Sequence, residues 1–382
     1  MHQLFWLLWL PLAVTTAWIV AGFGAVVALT RRPPPSTVAP PPVSVLKPLC
    51  GSDPGLRQNL ASFFRQDHPR FELIFGVIDA DDPALDVVRE LVREFPAVPC
   101  RIVVHAGQGA LNPKIDNLLG MLPHATHDLA LVSDSNVRAP AHYVRELATI
   151  HAVERPGLVT NLFAGVGEDS LAAAIENVQL SGFCAAGIAL PTLLGDALLV
   201  GKSALFSRRR LERLGGLRKL SDVLAEDYVM GKTFAHAGGR IIVAPTVLEN
   251  VTHSMTLKTM LARHLRWTMM RFRLLPIAAA LEPIASPLVL LPLAWLLLGP
   301  WALAWAVAML AVRDLGGWLV LRGTTRWYLP LLLAPLREVL VLAVWCVAPL
   351  KHHVSWRGKR FRLGAGTLLY LEGSGVNRAS TA

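Results

Sequence analysis

ELIFGVIDADDPALDVVRELVREF (72–95) reads as a strand, an acidic turn and a helix in direct succession. The run ELIFGVI (72–78) is apolar after its first residue and rich in β-branched and aromatic side chains, as a buried strand requires. DADD (79–82) follows with the residue types of a turn, and LDVVRELVREF (85–95) then spaces its apolar residues at a helical period. Working outward, the same alternation recurs. Short β-rich runs at VSVL (43–46), RIVV (101–104), DLALVS (128–133) and ALLVG (197–201) are interleaved with helical stretches at AHYVRELATIHAV (141–153) and LAEDYVMGKTFAHAG (224–238). This predicts an α/β domain over 43–275, an open sheet covered by helices, whose ligands collect beyond the carboxyl ends of the strands. DADD and DSN (134–136) both follow strand runs, so they fall at that edge.

The flanks are of another character. In the 382 residues, 53% are hydrophobic and only 17% charged, more apolar than a soluble domain needs. Residues 4–29 carry no charge, exceed the roughly 20 residues that cross a bilayer, and contain Trp6, Trp9 and Trp18. The run is longer than a signal-peptide core and lacks basic residues before it, so residues 1–30 are expected to be an uncleaved N-terminal transmembrane anchor. Arg31 and Arg32 then place the following domain in the cytoplasm, at the inner membrane of the cell. The Pro-rich stretch 31–42 is expected to be an extended spacer. Beyond 275, candidate spans at 276–298, 300–321 and 329–349 are interrupted by Glu282–Pro283, Arg313–Asp314 and Arg337–Glu338, charges expected to pair within a helix bundle. Three full crossings would put the basic tail (351–382) outside, against the charge rule, so 276–350 is expected to include a re-entrant or interfacial helix.

The net charge of +10 fits basic residues beside membrane segments, and no nucleic-acid-binding signature accompanies it. Cys50, Cys100, Cys184 and Cys346 lie far apart and read as reduced, buried residues. No phosphate-loop, dinucleotide, nucleophile-elbow or HExxH pattern is present.

The polar signals fall in a fixed order. Asp79, Asp81 and Asp82 end one strand run and Asp134 another, where carboxylates can meet a nucleotide or a divalent ion bridging to phosphate. Singly, each is also an ordinary turn or helix-cap sequence. Lys114, in NPK (112–114), opens a helical run whose N-terminus and ammonium could both face a diphosphate. Glu226 and Asp227 lie in an apolar helical stretch, where burial and mutual repulsion would raise one carboxyl toward the range of a general base; they also suit a helix surface. Arg263, Arg266 and Trp267 lie on a further helix, with both guanidinium groups on one face, as phosphate binding or a membrane-proximal basic helix requires.

VSVLKPLCGSDPGL (43–56), DADDPALDV (79–87), NPKIDNL (112–118), SDSNVRAP (133–140), LAEDYVMGK (224–232), RHLRW (263–267) and SWRGKRFRL (355–363), in this order, resemble the ceramide glucosyltransferase family. The resemblance implies a GT-A-like nucleotide-sugar-binding domain with an N-terminal transmembrane helix and C-terminal transmembrane or interfacial helices. It implies inverting transfer of a hexose, glucose first, from a UDP-sugar to the primary hydroxyl of ceramide, with a divalent cation, Mg²⁺ or Mn²⁺, as cofactor. On this resemblance Asp79, Asp81 and Asp82 hold the uridine part of the donor, Lys114 assists at the diphosphate, and Asp134 binds the metal, with Asn136 where a full DxD motif has its second acid. Asp227 matches the catalytic base, and Arg263, Arg266 and Trp267 match a (Q/R)xxRW signature. Two alternatives stay open: the same chemistry on a hopanoid polyol, whose bacterial transferases share the PLCG and RQDHP-type region, and a non-catalytic protein that binds nucleotide-sugar or lipid.

Overall fold

The structure, a computed structural model, describes residues 6–33, 38–356 and 359–371. Residues 34–37 of the Pro-rich spacer, Arg357 and Gly358 of the basic segment, and 372–382 of the tail lie outside the described residues.

Eight strands form one mixed sheet: β1 (Val43–Pro48), β2 (Phe71–Val77), β3 (Cys100–Val104), β4 (Leu129–Ser133), β5 (Val137–Arg138), β6 (Leu158–Val166), β7 (Ser203–Ser207) and β8 (Ile241–Val251). Their spatial order is β3-β2-β1-β4-β7-β6-β8-β5. β1 pairs in parallel with both β2 and β4, and β2 with β3, so the carboxyl ends of four strands share one edge. β4 then pairs antiparallel with β7, which places the start of β7 at that same edge. Val43, Val45, Leu73, Phe75 and Leu131 are fully buried in the central strands. Helices cover both faces, which explains why these strands read as nearly continuous apolar runs rather than alternating ones.

ALLVG (197–201) is not a strand; the strand in this region is β7, six residues further on. The backbone of Gly201 instead serves the neighbouring side chains, its N–H donating to Asp227 Oδ2 and its carbonyl accepting from Lys114 Nζ, which leaves nothing there for a ladder.

The helices in chain order are α1 (Leu10–Thr30), α2 (Leu56–Phe64), α3 (Ala84–Glu94), α4 (Pro113–Met121), α5 (Tyr143–Glu154), α6 (Leu171–Leu193), α7 (Arg208–Arg213), α8 (Glu226–His236), α9 (Leu257–Leu274), α10 (Pro276–Leu281), α11 (Leu291–Leu298), α12 (Trp301–Arg322) and α13 (Tyr328–Val347). Four helical stretches are long and apolar enough to cross a membrane: Trp6–Thr30, Leu171–Leu193, Trp301–Arg322 and Tyr328–Leu350. The second was not anticipated. It lies inside the stretch 43–275 and is mostly buried by the protein itself, joining the sheet to the apolar helices. Conversely, 276–298 is no single helix: a turn at Glu282–Ala285 separates α10 from α11, and Glu282 pairs with Arg271.

α13 lies lengthwise along α9. Near its start Leu333 packs with Ile175 and Met260, and just past its end Ala348 packs with Met269 and Leu224. The start of α13 therefore lies against α6 and α9, and its end lies beside Leu224 of the α/β unit, where the basic segment after 351 follows. There β9 (His353–Trp356), β10 (Lys359–Leu363) and β11 (Leu369–Leu371) form a small antiparallel sheet whose Phe361 and Leu363 join Leu224 and Met269 in one cluster. Large apolar side chains such as Trp295, Leu296, Trp301, Val307, Leu332 and Val339 are exposed on α11, α12 and α13, as a lipid-facing surface requires.

All four cysteines are free, but none is buried as expected: Cys100 and Cys184 are half-buried, and Cys50 and Cys346 are exposed. Their positions explain it: Cys50 follows β1 in the loop at the sheet edge, and Cys346 lies on the outer side of α13.

Candidate active site

Strand register gathers the first charges. β1 and β4 run side by side with Leu46 beside Val132, so Lys47 and Asp134 follow at adjacent strand ends. Ser203 opposes Ser133 across the antiparallel pair, which brings Lys202 to the same place from β7. Lys47 Nζ donates to the Asp134 carbonyl at 2.6 Å and to Ser133 Oγ at 3.3 Å, and Lys202 Nζ to Asp134 Oδ2 at 3.0 Å and Asn136 Oδ1 at 3.1 Å.

The NPKIDNL motif builds the second wall, each residue with a distinct task. Asn112 caps α4, its side chain accepting from the Lys114 and Ile115 N–H groups, and Pro113 occupies the first turn, where its missing N–H costs nothing. Asp116 Oδ1 accepts from the N–H groups of Gln108 and Ala110, and Asn117 Nδ2 donates to the carbonyls of Leu49 and Gly76, tying α4 to the ends of β1 and β2. Lys114 is thereby aimed inward, with Nζ 2.8 Å from Asp134 Oδ1 and 3.4 Å from Glu226 Oε1.

The third wall is the first turn of α8, where Glu226 and Asp227 meet the positive end of the helix. Asn112 Nδ2 donates to Glu226 Oε2 at 3.1 Å. Asp227 Oδ2 accepts from Gly201 N–H at 2.7 Å and Oδ1 from Tyr228 N–H at 2.8 Å, which fixes the carboxylate plane. A Cβ at Gly201 would stand 3.0 Å from Lys114 Nζ and 3.1 Å from Asp227 Oδ2, so a larger residue would push these two side chains aside by a few tenths of an ångström.

The cluster is deep but open: the side chains of Lys114, Asp134 and Glu226 are 18%, 25% and 13% exposed. Burial opposes charge at Asp134, yet Lys114 and Lys202 hold its carboxyl well below the usual range. Burial likewise opposes charge at Lys114, but Asp134 and Glu226 keep its ammonium above the usual lysine range. Burial pushes the Glu226 carboxyl up to about 7, against the pull of Lys114 and with the help of Asp227 and Asp134. Lys47 is fully buried, and desolvation lowers its ammonium far below an ordinary lysine.

Of the residues singled out in the sequence, the structure brings Lys114, Asp134 and Asp227 together. Asp79 and Asp81 are exposed in the turn after β2, on the same sheet edge. Asp82 is engaged within the fold, its carboxylate accepting from the N–H groups of Gly51 and Ala84. Arg263 pairs with buried Glu176 of α6 at 2.6 Å, and Trp267 packs edge-on to His264 and against the main core. Their side chains thus serve the contact of α9 with α6, while the Arg266 guanidinium lies 5.9 Å from the Trp356 ring. Lys47 and Lys202 went unnoticed in the sequence. Their signal was a lysine at the border of an apolar run, in VSVLKP and LLVGKS, where a buried cation needs a partner.

Among the described residues, no group of three or more His, Cys, Asp or Glu gathers to hold a metal ion. Asp134 Oδ2 and Asn136 Oδ1 do converge on one cation, the Lys202 ammonium, at 3.0 and 3.1 Å. Two such oxygens fit a hard divalent ion that takes its remaining ligands from phosphates and water.

A family profile described as glycosyl transferase family 21 matches residues 7–369. Ceramide glucosyltransferase 1 of Caenorhabditis elegans is 28% identical over 267 residues, covering 70% of this chain and 57% of the relative. Ceramide glucosyltransferase 3 of the same animal is 28% identical over 254 residues, covering 64% and 53%. The chain thus spans about half the length of the curated relatives it matches. Among solved structures, a mannosyltransferase of Pyrobaculum calidifontis in complex with GDP-Man and Mn²⁺ has a TM-score of 0.49 at 20% identity, covering 88% of this chain and 98% of that one.

Proposed function

Because the chain belongs to glycosyl transferase family 21, whose model matches nearly all of it, we propose that it moves a hexose, glucose in the first instance, from a UDP-sugar to the primary hydroxyl of a ceramide-like lipid, with inversion at the anomeric carbon. The observation that carries this reading is the convergence of Asp134, Lys114, Glu226 and Asp227 at the carboxyl edge of the sheet, on a unit joined to a set of apolar helices.

Asp227 acts as the base. Its oxygens are oriented by two backbone N–H groups, and it takes the proton of the lipid hydroxyl as that oxygen attacks the anomeric carbon from the face opposite the leaving diphosphate. Lys114 and Lys202 stand where charge builds on the departing UDP. Asp134 and Asn136 would hold a divalent cation, which when bound neutralises diphosphate charge. Asp79 and Asp81, exposed beside the end of β2, hold the uridine, with Asp82 fixing the turn that presents them. Arg266, beside Trp356 on α9, is assigned to the diphosphate on its match to the (Q/R)xxRW signature. Neutral Glu226, at pH below about 7, keeps the negative charge around the incoming donor low.

The basic residues Arg31 and Arg32, and those after 351, sit on the side of the α/β unit, which supports a catalytic unit facing the cytoplasm at the inner membrane. The test is mass spectrometry of lipids after proteoliposomes carrying the full chain are incubated with a panel of UDP-sugars, Mg²⁺ or Mn²⁺, and either an N-acyl sphingoid or a hopanoid polyol. A hexosylated sphingoid is the expected product. A glycosylated hopanoid instead would move the acceptor, and UDP-sugar binding with no product on either lipid would overturn the reading.

A further inference from the structure

The loop that delivers Glu226 and Asp227 to the active site is held from two sides. On one side stands the NPK segment: Asn112 N–H donates to the Ser221 carbonyl at 2.8 Å, Asn112 Nδ2 to the Val223 carbonyl at 2.7 Å, and Leu111 N–H to Asp222 Oδ1 at 3.3 Å. On the other stands the small C-terminal sheet. Leu369 N–H donates to the Asp222 carbonyl at 2.7 Å, while Leu224 N–H donates to the Thr367 carbonyl at 2.9 Å and Ala225 N–H to Thr367 Oγ1 at 3.3 Å. Val223 and Leu368 form an antiparallel bridge between these bonds. Each of the four residues before Glu226 is therefore tied to one segment or the other.

Thr367 is the unusual member of this clamp. It is fully buried, and its φ of +64° lies in the left-handed region. Among the described residues Arg155 and Arg326 are the other non-glycine residues with positive φ, and both are exposed. In that region Cβ crowds a neighbouring carbonyl oxygen, and a β-branched residue suffers most. Glycine occupies it freely, and Gly366, with φ +58°, does so next door. A threonine in this conformation carries a cost that its surroundings must offset, and such costs gather at functional sites. What a glycine would lack there is the hydroxyl, and that hydroxyl bonds the Ala225 N–H.

Ala225 immediately precedes the first turn of α8 and has no side chain that can cap it. In a capping box the third residue of the helix reaches back to the N–H of the residue before the helix. Here the third residue is Tyr228, which has no carboxylate or amide, and Thr367 makes the bond instead, from 142 residues further along the chain. The direction in which α8 starts is thus set from outside the helix. That direction leaves Glu226 Oε1 3.4 Å from Lys114 Nζ and Asp227 Oδ2 2.7 Å from the Gly201 nitrogen. The clamp is itself anchored, because Phe361, Leu363 and Leu369 pack with Leu224 and with Met269 of α9.

We propose that Thr367 is a positioning residue for the Glu226–Asp227 pair, through which the C-terminal sheet holds both carboxylates in place for transfer. It acts through Leu224 and Ala225 and has no chemical step of its own. The catalytic meaning rests on the function proposed above; the clamp on residues 222–225 does not.

The test uses the full chain in nanodiscs. Thr367→Val deletes the hydroxyl and keeps the shape, Thr367→Ser keeps the hydroxyl, and Thr367→Gly deletes the hydroxyl while freeing φ, so it reads the same bond where Thr367→Val does not fold. The readouts are kcat and KM for sugar transfer, UDP affinity, and hydrogen–deuterium exchange of peptides covering 222–228. Thr367→Val and Thr367→Gly are expected to lose kcat by about 10- to 100-fold, the scale of a small misplacement of a catalytic group, with donor KM and UDP affinity within about threefold of wild type. Exchange at 222–228 should rise by about tenfold in both, with exchange in β4 unchanged. Thr367→Ser should return both kcat and exchange to near wild type. A kcat retained in Thr367→Gly, a loss of UDP affinity as large as the loss of kcat, or a Thr367→Ser no better than Thr367→Val would overturn the proposal. If the wild type transfers no sugar, the proposed activity fails and exchange decides the clamp: a rise confined to 222–228 sustains it, and an unchanged rate overturns it.

Discussion

Replacing Lys114 by Met removes a cation and keeps the length of the side chain. Lys114 and Lys202 both pair with Asp134, and Lys114 also faces Glu226, so removing Lys114 takes one unit of positive charge from the cluster that the diphosphate meets. A unit charge about 5 Å from a diphosphate oxygen, at an effective dielectric constant of about 20, amounts to about 3 kcal/mol. That corresponds to about a 10²-fold loss of rate, the lower end of what removal of one preorganised donor costs in a buried site. Asp134 keeps Lys202, and Glu226 keeps Asn112, so the fold is expected to survive. The assay is kcat/KM for sugar transfer against pH with UDP affinity measured in parallel. Lys114 is the group that holds the Glu226 carboxyl down against burial, so the limb near pH 7 should also move to higher pH in the variant. A loss of less than about fivefold with an unmoved limb would refute the electrostatic reasoning.

Glu226→Gln tests the same group through stability. Its carboxyl is raised from 4.5 to about 7 in the folded chain, which therefore holds more protons than the unfolded chain between those values; stability should fall as pH rises through that window, and Gln should flatten the slope in denaturation at graded pH. Asp134→Ala should abolish the dependence of UDP-sugar binding on Mg²⁺ or Mn²⁺ in titration calorimetry, and unchanged metal dependence would remove Asp134 from that role. Asp82→Ala removes the acceptor for two backbone N–H groups and is expected to cost about 1 kcal/mol in thermal unfolding, with a smaller effect on donor affinity than Asp79→Ala.

The α/β class and the acidic strand ends were legible because they depend on local periodicity and on turn chemistry that sits within a few residues, as in 72–95. NPKIDNL was legible as a helix start for the same reason. The cluster itself depends on register between distant strands, and no local pattern announces that Ser203 will oppose Ser133 and so deliver Lys202 to Asp134. ALLVG has strand composition, but the Gly201 backbone at its end is taken by Lys114 and Asp227. α6 was hidden because Glu176, Asn177 and Gln179 interrupt its apolar run, and two of them find their partners in distant elements, Glu176 in Arg263 and Gln179 in Arg337. The interruptions in the C-terminal apolar runs were visible in the sequence, but not that Arg313–Asp314 and Arg337–Glu338 would close into one ring of ion pairs.

The central claim is that Asp227 is the base in a transfer from UDP-sugar to lipid, and it is tested most directly by pairing donor affinity with single-turnover transfer in Asp227→Asn. The account expects UDP-sugar affinity within about threefold of wild type and transfer reduced by at least about 10³-fold, the scale of an essential general base. Transfer that persists at near wild-type rate, or a loss of donor binding as large as the loss of transfer, would contradict it.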